Sequence, residues 1–193
     1  MDIQKHDTFE NIKFIELNDI KNIKSKSFYD CKFVDCDFTE SDFSNSLFSE
    51  CIFKTSNLSF AKFNESKFQD VHFDGCKILG VDFTQLSKLI LEIGFENSKI
   101  TKCIFASLEL DGTNFINCQI IQTDFYDTIL KKSNFSGSDL KDTVFENADL
   151  TEANFKDSKN YLINPLKNKI KNAEFTMPEA IVLLESLEVK ISY

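Results

Sequence analysis

The amino-acid sequence predicts an all-β protein, a right-handed quadrilateral β-helix built from five-residue repeats, with a short C-terminal capping helix. Large apolar residues recur at every fifth position in two uninterrupted runs, from Phe28 to Phe83 and from Phe95 to Phe155. A helix repeats at about 3.6 residues and a strand at about 2, so neither element alone produces this period. The repeat therefore indicates a solenoid in which each pentad forms one side of a coil.

A second regularity supports this interpretation. A small Cys, Ser, Ala or Thr side chain stands two residues before most of the central apolar positions, and Asp or Asn often stands one residue before them. We expect the small and central residues to point inward and the other three residues of each pentad to face water. Four pentads then close one square coil, and central residues twenty apart should stack. They match by type, as in the series Phe95, Phe115, Phe135 and Phe155.

All six cysteines occupy the small inward position of the repeat. They are Cys31, Cys36, Cys51, Cys76, Cys103 and Cys118. Buried cysteine behaves as a small hydrophobic residue. We therefore expect core packing residues rather than disulfides or metal ligands.

Composition and charge restrict the classes of partner. The 193 residues include 31 acidic residues and 22 basic ones, all of them lysine, for a net charge of −9. An acidic chain without arginine is unsuited to nucleic-acid binding. No apolar run is long enough to span a membrane, and the N-terminus lacks the pattern of a signal peptide. We expect a cytoplasmic protein that binds neither nucleic acid nor membrane.

The repeat divides the chain into three segments. Residues 26–157 form the predicted β-helix, residues 1–25 an irregular N-terminal coil or cap, and residues 158–193 a final coil, a helix and a cap. The phase of the repeat slips at 84–94. This segment is interpreted either as a side with a two-residue bulge, which we favour, or as a helical turn closed by Gly94.

The C-terminal helix is predicted from a capping box. Thr176 and Glu179 have the required spacing, and the helix should continue to about Leu187. Ile181, Leu184 and Leu187 then share one apolar face. Solenoids must cover their open ends, so this face is interpreted as a cap, with or without a second role in dimerisation.

The sequence contains no recognisable catalytic set. Only His6 and His72 are present, and the few glycines form no phosphate-binding loop. A filled β-helix also offers no interior cavity to a substrate. We therefore expect a protein that is not an enzyme and needs no cofactor.

The candidate binding surface is acidic. Residues 26–157 hold 22 acidic and 13 basic residues, which accounts for the full net charge of −9. Many of the acids recur at the second position after a central residue. This set is Asp30, Asp35, Glu40, Glu50, Asp70, Asp127, Asp142, Glu152 and Asp157. These columns of acids serve either solubility or a partner that normally binds DNA.

The repeat resembles the pentapeptide repeat proteins, whose motif is written A(D/N)Lxx. Three pentads come close to that motif: Ser138-Asp139-Leu140, Ala148-Asp149-Leu150 and Ala153-Asn154-Phe155. The resemblance implies a right-handed quadrilateral β-helix. Qnr-type and mycobacterial members bind DNA gyrase and topoisomerase IV as DNA mimics, which implies such a protein partner and quinolone resistance here.

The resemblance has a limit and an alternative. Qnr-type members carry large projecting loops, whereas this chain has room only for a small bulge at 84–94. Much of the family has no assigned activity, so a structural or scaffolding protein with an unknown protein partner and no gyrase activity is the second possibility. Related proteins dimerise through their C-terminal helices, which implies a homodimer through this segment.

Overall fold

The computed structural model describes residues 3–187 and Val189, so the outer ends of the two predicted terminal segments lie outside the described residues. The chain winds as a parallel β-helix around one continuous apolar core. The strands are β1 (Thr8–Glu10), β2 (Lys13–Ile15), β3 (Ser27–Tyr29), β4 (Lys32–Val34), β5 (Leu47–Lys54), β6 (Lys67–Asp74), β7 (Lys77–Leu79), β8 (Ile93–Glu96), β9 (Lys99–Thr101), β10 (Phe115–Ile116), β11 (Gln119–Ile121), β12 (Asn154–Phe155) and β13 (Glu174–Phe175). Short 3₁₀ turns span Phe83–Gln85 and Glu179–Ile181, and one α-helical turn, α1, spans Val182–Glu185.

Parallel pairing between successive coils confirms the predicted quadrilateral β-helix. Phe28 pairs with Phe48, and Phe48 pairs with Phe68, at the expected interval of twenty residues. Each coil therefore places the same repeat position directly above its predecessor. Four faces result, numbered here in chain order by their central residues: face 1 (Phe28, Phe48, Phe68), face 2 (Phe33, Phe53, Phe73), face 3 (Phe38, Leu58, Ile78) and face 4 (Phe43, Phe63, Phe83).

The interior of face 2 is a single column of stacked phenylalanine rings. Its members are Phe14, Phe33, Phe53, Phe73, Phe95, Phe115, Phe135, Phe155 and Phe175. Neighbouring ring centroids are 4.6 to 5.2 Å apart. This spacing equals the separation of hydrogen-bonded strands, about 4.8 Å, so backbone pairing and ring stacking share one repeat distance. The nine rings span about eight turns of the solenoid.

Two extra residues enter the coil that contains the interruption. Phe73 pairs with Phe95, an offset of twenty-two, whereas Glu65 N–H still bonds to the carbonyl oxygen of Gln85 at an offset of twenty. The extra length leaves the rod as a bulge in which Leu89 and Ile90 are exposed. Gly94 lies within β8, paired with His72, and closes no helix.

Leucines fill the interior beside this bulge. Leu86 and Leu108 stand at the inward position that small residues hold elsewhere, and both are buried. The looped-out chain supplies only the half-buried Leu91 between Phe68 and Leu110 on face 1. The two larger side chains restore the volume that a fully inward central residue would occupy.

The N-terminal segment joins the same stack, since β1 pairs with β3 and β2 with β4. Lys26 takes the small inward position near this end, where it is buried. Its Nζ donates to the carbonyl oxygen of His6 at 2.6 Å and lies 3.4 Å from a carboxylate oxygen of Asp7. The buried Lys26 ammonium thus has hydrogen-bonding partners at the N-terminal end of the core.

The C-terminal cap is shorter than predicted. The expected helix from Thr176 to Leu187 is replaced by the 3₁₀ turn Glu179–Ile181 and α1. The predicted capping box is wrong, because the Thr176 hydroxyl accepts a bond from the backbone N–H of Asp157 in the coil before it. Within the described residues, no helix is long and apolar enough to cross a membrane.

Candidate functional site

The nine predicted acids all lie at the corners of the coils. Each has a positive φ, between 48° and 61°, and each is exposed. This left-handed conformation favours Gly, Asn and Asp over other residues. The recurrence of acids at this position therefore has a conformational cause as well as an electrostatic one.

The corners divide these acids among four edges of the rod. Asp30, Glu50 and Asp70 follow the paired positions of β3, β5 and β6 and form one line over three consecutive coils. We call these three residues the acidic edge. Glu92 follows Asp70 in the next coil, since it precedes the Ile93 that pairs with Val71. Gly112 and Lys132 then end the acidic character of the line before Glu152.

The remaining predicted acids lie on the other three edges. Asp35 and Asp157 follow face 2, Glu40 and Asp142 follow face 3, and Asp127 follows face 4. The structure thus brings three of the nine acids together in consecutive coils and separates the others.

Several of these carboxylates have basic neighbours. Asp70 Oδ1 lies 2.7 Å from His72 Nε2, Glu40 lies 3.6 Å from Lys21 Nζ, and Glu152 lies 3.9 Å from Lys132 Nζ. Among the described residues, Asp30 and Glu50 have no ion-pair partner. Exposed ion pairs contribute little to stability, so Lys21 and Lys132 chiefly reduce the local negative potential.

The acids that precede the central residues have a different role. Asp37 Oδ1 accepts bonds from the backbone N–H of Thr39 at 2.9 Å and from its hydroxyl at 2.5 Å. The side-chain bond, and then the backbone bond, hold the pKa of Asp37 below its usual value. Asp42 and Asn57 form the same turn with Ser44 and Ser59. The Asp/Asn preference therefore builds the turn, a reason that periodicity alone did not reveal.

A concave groove crosses the outside of face 2. Its volume is about 380 Å³, and its lining includes Lys32, Ile52, Lys54 and His72. Gly94 shapes this groove, since a Cβ atom there would lie 3.0 Å from His72 Nδ1. In the sequence, the sign of this groove is Gly94 itself, a glycine at a repeat position that carries a side chain in the other coils.

The cysteines are packed in the core. All six are buried and free. Burial raises the pKa of Cys76 and Cys118 to about 12 and that of Cys103 to about 11, because the thiolate is disfavoured away from water. In the part of the chain that the structure describes, no group of three His, Cys, Asp or Glu residues is placed to hold a metal ion.

The predicted cap residues occupy the outer side of the C-terminal turn. Leu184 and Leu187 are each 44% exposed, and Ile181 is half-buried. The residues that pack against the core are instead Val182 and Leu183. The apolar side chains at the outer side remain available for contact with another molecule.

Comparison with known proteins identifies the family. The sequence family described as "Pentapeptide repeat region" matches residues 26–92 and 88–155, which is more than half of the chain. No curated protein matches the sequence.

Solved structures share the fold at low identity. A trypsin-treated form of QnrB1, a plasmid-mediated fluoroquinolone resistance protein, is 18% identical, with a TM-score of 0.74 over 96% of this chain and 97% of that chain. A second trypsin-treated form is 17% identical, with a TM-score of 0.65 over 96% of this chain and all of that one. Full-length QnrB1 is 18% identical, with a TM-score of 0.53 over 94% of this chain and all of that one. The five-residue repeat, the geometry of its coils and the family match agree. The chain therefore belongs to the pentapeptide repeat proteins.

Proposed function

We propose that this protein is a cytoplasmic, non-enzymatic binding module that occupies the basic DNA-binding surface of a type II topoisomerase, DNA gyrase or topoisomerase IV, and thereby gives quinolone resistance. The observation that carries the proposal is the acidic edge, where Asp30, Glu50 and Asp70 stand in line on consecutive coils. Regularly spaced carboxylates on a rigid rod can replace the phosphates of a duplex on a positive surface. The likeness to QnrB1, a fluoroquinolone resistance protein, supports the choice of target.

Charge density sets the expected strength of this interaction. Residues 26–157 carry a net charge of −9. At about 4.8 Å per coil they span roughly 32 Å, over which a duplex carries about 19 charges. The rod thus has about half the charge of DNA, and lysines such as Lys132 interrupt it. We therefore expect binding through one edge, with strong sensitivity to salt.

The test is a supercoiling assay with purified gyrase, with and without ciprofloxacin. The wild-type protein should inhibit supercoiling, or protect the enzyme from the drug, at micromolar concentration. The variant Asp30→Asn/Glu50→Asn/Asp70→Asn removes the acidic edge and retains a residue suited to a positive φ. We expect its effect to require at least about tenfold more protein, equivalent to about 1.4 kcal/mol.

The matched control is Asp127→Asn/Asp142→Asn/Asp157→Asn, which makes the same change in net charge on the other edges. It should behave like the wild type if the acidic edge makes the contact. If the wild-type protein neither inhibits nor protects, the topoisomerase proposal is wrong. The alternative, a scaffolding protein with another partner, is then favoured by the lysines that pair with acids along the rod, as Lys131 and Lys169 do with Asp149.

We also propose a homodimer through the C-terminal cap. Leu184, Leu187 and Leu162 are exposed, and Leu162 lines a hollow with Val182 of α1, so this end presents apolar surface to water. Sedimentation velocity should show a dimer for the wild type and a monomer for Leu184→Ser/Leu187→Ser. A monomeric wild type at micromolar concentration would contradict this assignment.

A further inference from the structure

The outward surface of face 4 changes character along the rod. In the first coils its outward position before the central residue holds Asn22, Asp42, Lys62 and Asp82. In later coils this row continues as Ile104, Asp124 and Val144, joined by parallel bridges. Tyr126 lies two residues beyond Asp124. We call Ile104, Tyr126 and Val144 the face 4 patch.

The face 4 patch groups three exposed apolar side chains on one face of the rod. Ile104 is 40%, Tyr126 45% and Val144 46% exposed. Elsewhere on the rod, Ile15 is 52% exposed on face 2, Tyr29 is 39% exposed on face 1, and Phe60 is 50% exposed at the corner after face 3. Most of the other aliphatic residues that point outward on those faces are half-buried by their neighbours. These are Val34, Leu47, Ile52, Leu79, Ile116, Ile121 and Ile129. The patch therefore differs from the rest of the rod in having three exposed apolar side chains together on one face.

The face 4 segments around the patch carry acids and no lysine. Residues 81–86, 103–108, 123–128 and 143–148 contain Asp82, Asp124, Asp127 and Glu146. Lysines stand at the borders of the face, where Lys88 contacts Ser107 and Lys167 pairs with Glu146. Asp124 accepts a bond from the backbone N–H of Tyr126 at 2.8 Å, which fixes its carboxylate between Ile104 and Val144. Apolar side chains thus alternate with a fixed negative charge.

The mid-chain bulge borders the same face. Lys88 Nζ donates to the carbonyl oxygen of Ser107, at the corner that ends face 4, over 3.3 Å. This contact ties the bulge to the rod close to the patch, and Leu89 on the bulge is 67% exposed. The bulge therefore adds apolar surface at the border of face 4.

From this arrangement we propose that the face 4 patch is a docking surface for a positively charged, amphipathic segment of a protein partner. Apolar side chains of that segment would cover Ile104, Tyr126 and Val144, and its lysines or arginines would face Asp82, Asp124 and Asp127. A second copy of this chain fits poorly, because a twofold contact would bring the same carboxylates together. Nucleic acid is disfavoured for the same reason of charge.

This surface is separate from the acidic edge. The acidic edge follows face 1, whereas the patch lies on the preceding face and in later coils. The inference therefore does not depend on the identity of a topoisomerase, and the two proposals can fail independently.

The experiment uses the full chain and a labelled synthetic helix of Leu and Lys, about 18 residues long, with leucine along one face. Two comparison peptides carry Ser in place of Leu, or Glu in place of Lys. Fluorescence anisotropy should show the Leu–Lys peptide binding at least about tenfold more tightly than either comparison peptide.

Variants then locate the site. Ile104→Thr/Val144→Thr removes apolar surface and keeps β-branched residues, so the coil should fold normally. It should weaken binding of the Leu–Lys peptide at least about tenfold. The matched control Ile116→Thr/Ile121→Thr, on faces 2 and 3, should leave peptide binding unchanged. The charge variant Asp82→Asn/Asp124→Asn/Asp127→Asn should weaken peptide binding and make the remaining affinity less dependent on salt.

Three results would overturn the inference. The first is equal binding of the Leu–Lys peptide by wild type and Ile104→Thr/Val144→Thr. The second is equal binding of the Glu or Ser peptide, which would remove the requirement for a cationic amphipathic partner. The third is a dimer, seen by sedimentation, that Ile104→Thr/Val144→Thr dissociates, because a second copy would then cover the patch.

Discussion

The corner residue of each pentad bears the main conformational cost of the repeat. It adopts a positive φ in coil after coil, including at bulky residues such as Phe60 and Ile90. A left-handed conformation costs roughly 1–2 kcal/mol for a residue with a Cβ atom. Few corners hold glycine, so hydrogen bonding and packing between coils must offset this cost.

Gly112 isolates the cost of the corner conformation. Its φ is 69°, and an added Cβ would have no atom within 4 Å. Gly112→Ala should therefore lower the free energy of unfolding by about 1 kcal/mol through backbone strain alone. Gly112→Asn should cost less, because Asn tolerates this conformation. Urea unfolding midpoints measure both, and an unchanged midpoint for Gly112→Ala would refute the strain argument.

Acid should weaken the rod through bonded carboxylates such as Asp74. This carboxylate accepts a bond from Asn97 Nδ2 at 3.0 Å and lies 3.1 Å from Lys54 Nζ. These contacts lower the pKa of Asp74 below its ordinary value of 3.8. A depressed folded-state pKa adds stability above the unfolded value, and that stability is lost as the pH falls through the folded pKa.

The substitution Asp74→Asn should therefore be destabilising near neutral pH and progressively less so below pH 3.8. Urea midpoints of wild type and variant, measured from neutral to acidic pH, should converge. Lys54→Met, which removes the cationic partner, should show the same trend. A constant difference between wild type and Asp74→Asn across this range would contradict the assigned cause.

Among the structural elements, the interrupted coil shows what the sequence could not predict. The phase slip after Phe83 was visible, but two conformations satisfied it. The structure makes a 3₁₀ turn at Phe83–Gln85 and then a bulge. The bulge is accommodated because Leu86 and Leu108, which are twenty-two residues apart in the sequence, both fill the core beside it.

Removing either filling residue should therefore be costly. Leu86→Ala and Leu108→Ala should each lower the free energy of unfolding by about 2–5 kcal/mol, the range for buried leucine. The matched control Leu89→Ala, at an exposed position of the same bulge, should change stability by no more than about 0.5 kcal/mol. Equal effects at Leu86 and Leu89 would show that the bulge does not shape the core as described.

The whole molecule behaves as a stack in which each coil contacts only its neighbours. The phenylalanine column of face 2 continues through the interruption, where the Phe73 and Phe95 centroids are 5.0 Å apart. The bulge therefore changes the surface of the rod without dividing its core. The coils before the bulge and the coils after it should therefore unfold together as one cooperative unit.

Position along this column should determine the effect of a truncation. Phe115→Ala, between two stacked rings and fully buried, should cost about 3–5 kcal/mol. Phe175→Ala should cost less, because Phe175 is half-buried near the C-terminal end. Denaturant unfolding compares the totals, and hydrogen exchange shows which coils lose protection. A larger loss for Phe175→Ala would mean that the cap, and not the column, dominates stability.

The sequence by itself determined the fold and the inward residues, because in a solenoid the environment of a side chain repeats with its position in the pentad. The stacking of Phe95 on Phe115 and the burial of all six cysteines followed from that register. The same twenty-residue register places Asp30, Glu50 and Asp70, three of the nine acids, on consecutive coils. Only the tertiary structure decided how the register crosses the interruption, where Phe73 pairs with Phe95. It also decided the exposure of Ile104, Tyr126 and Val144 in the face 4 patch, because exposure depends on the neighbouring coils, which no single pentad specifies.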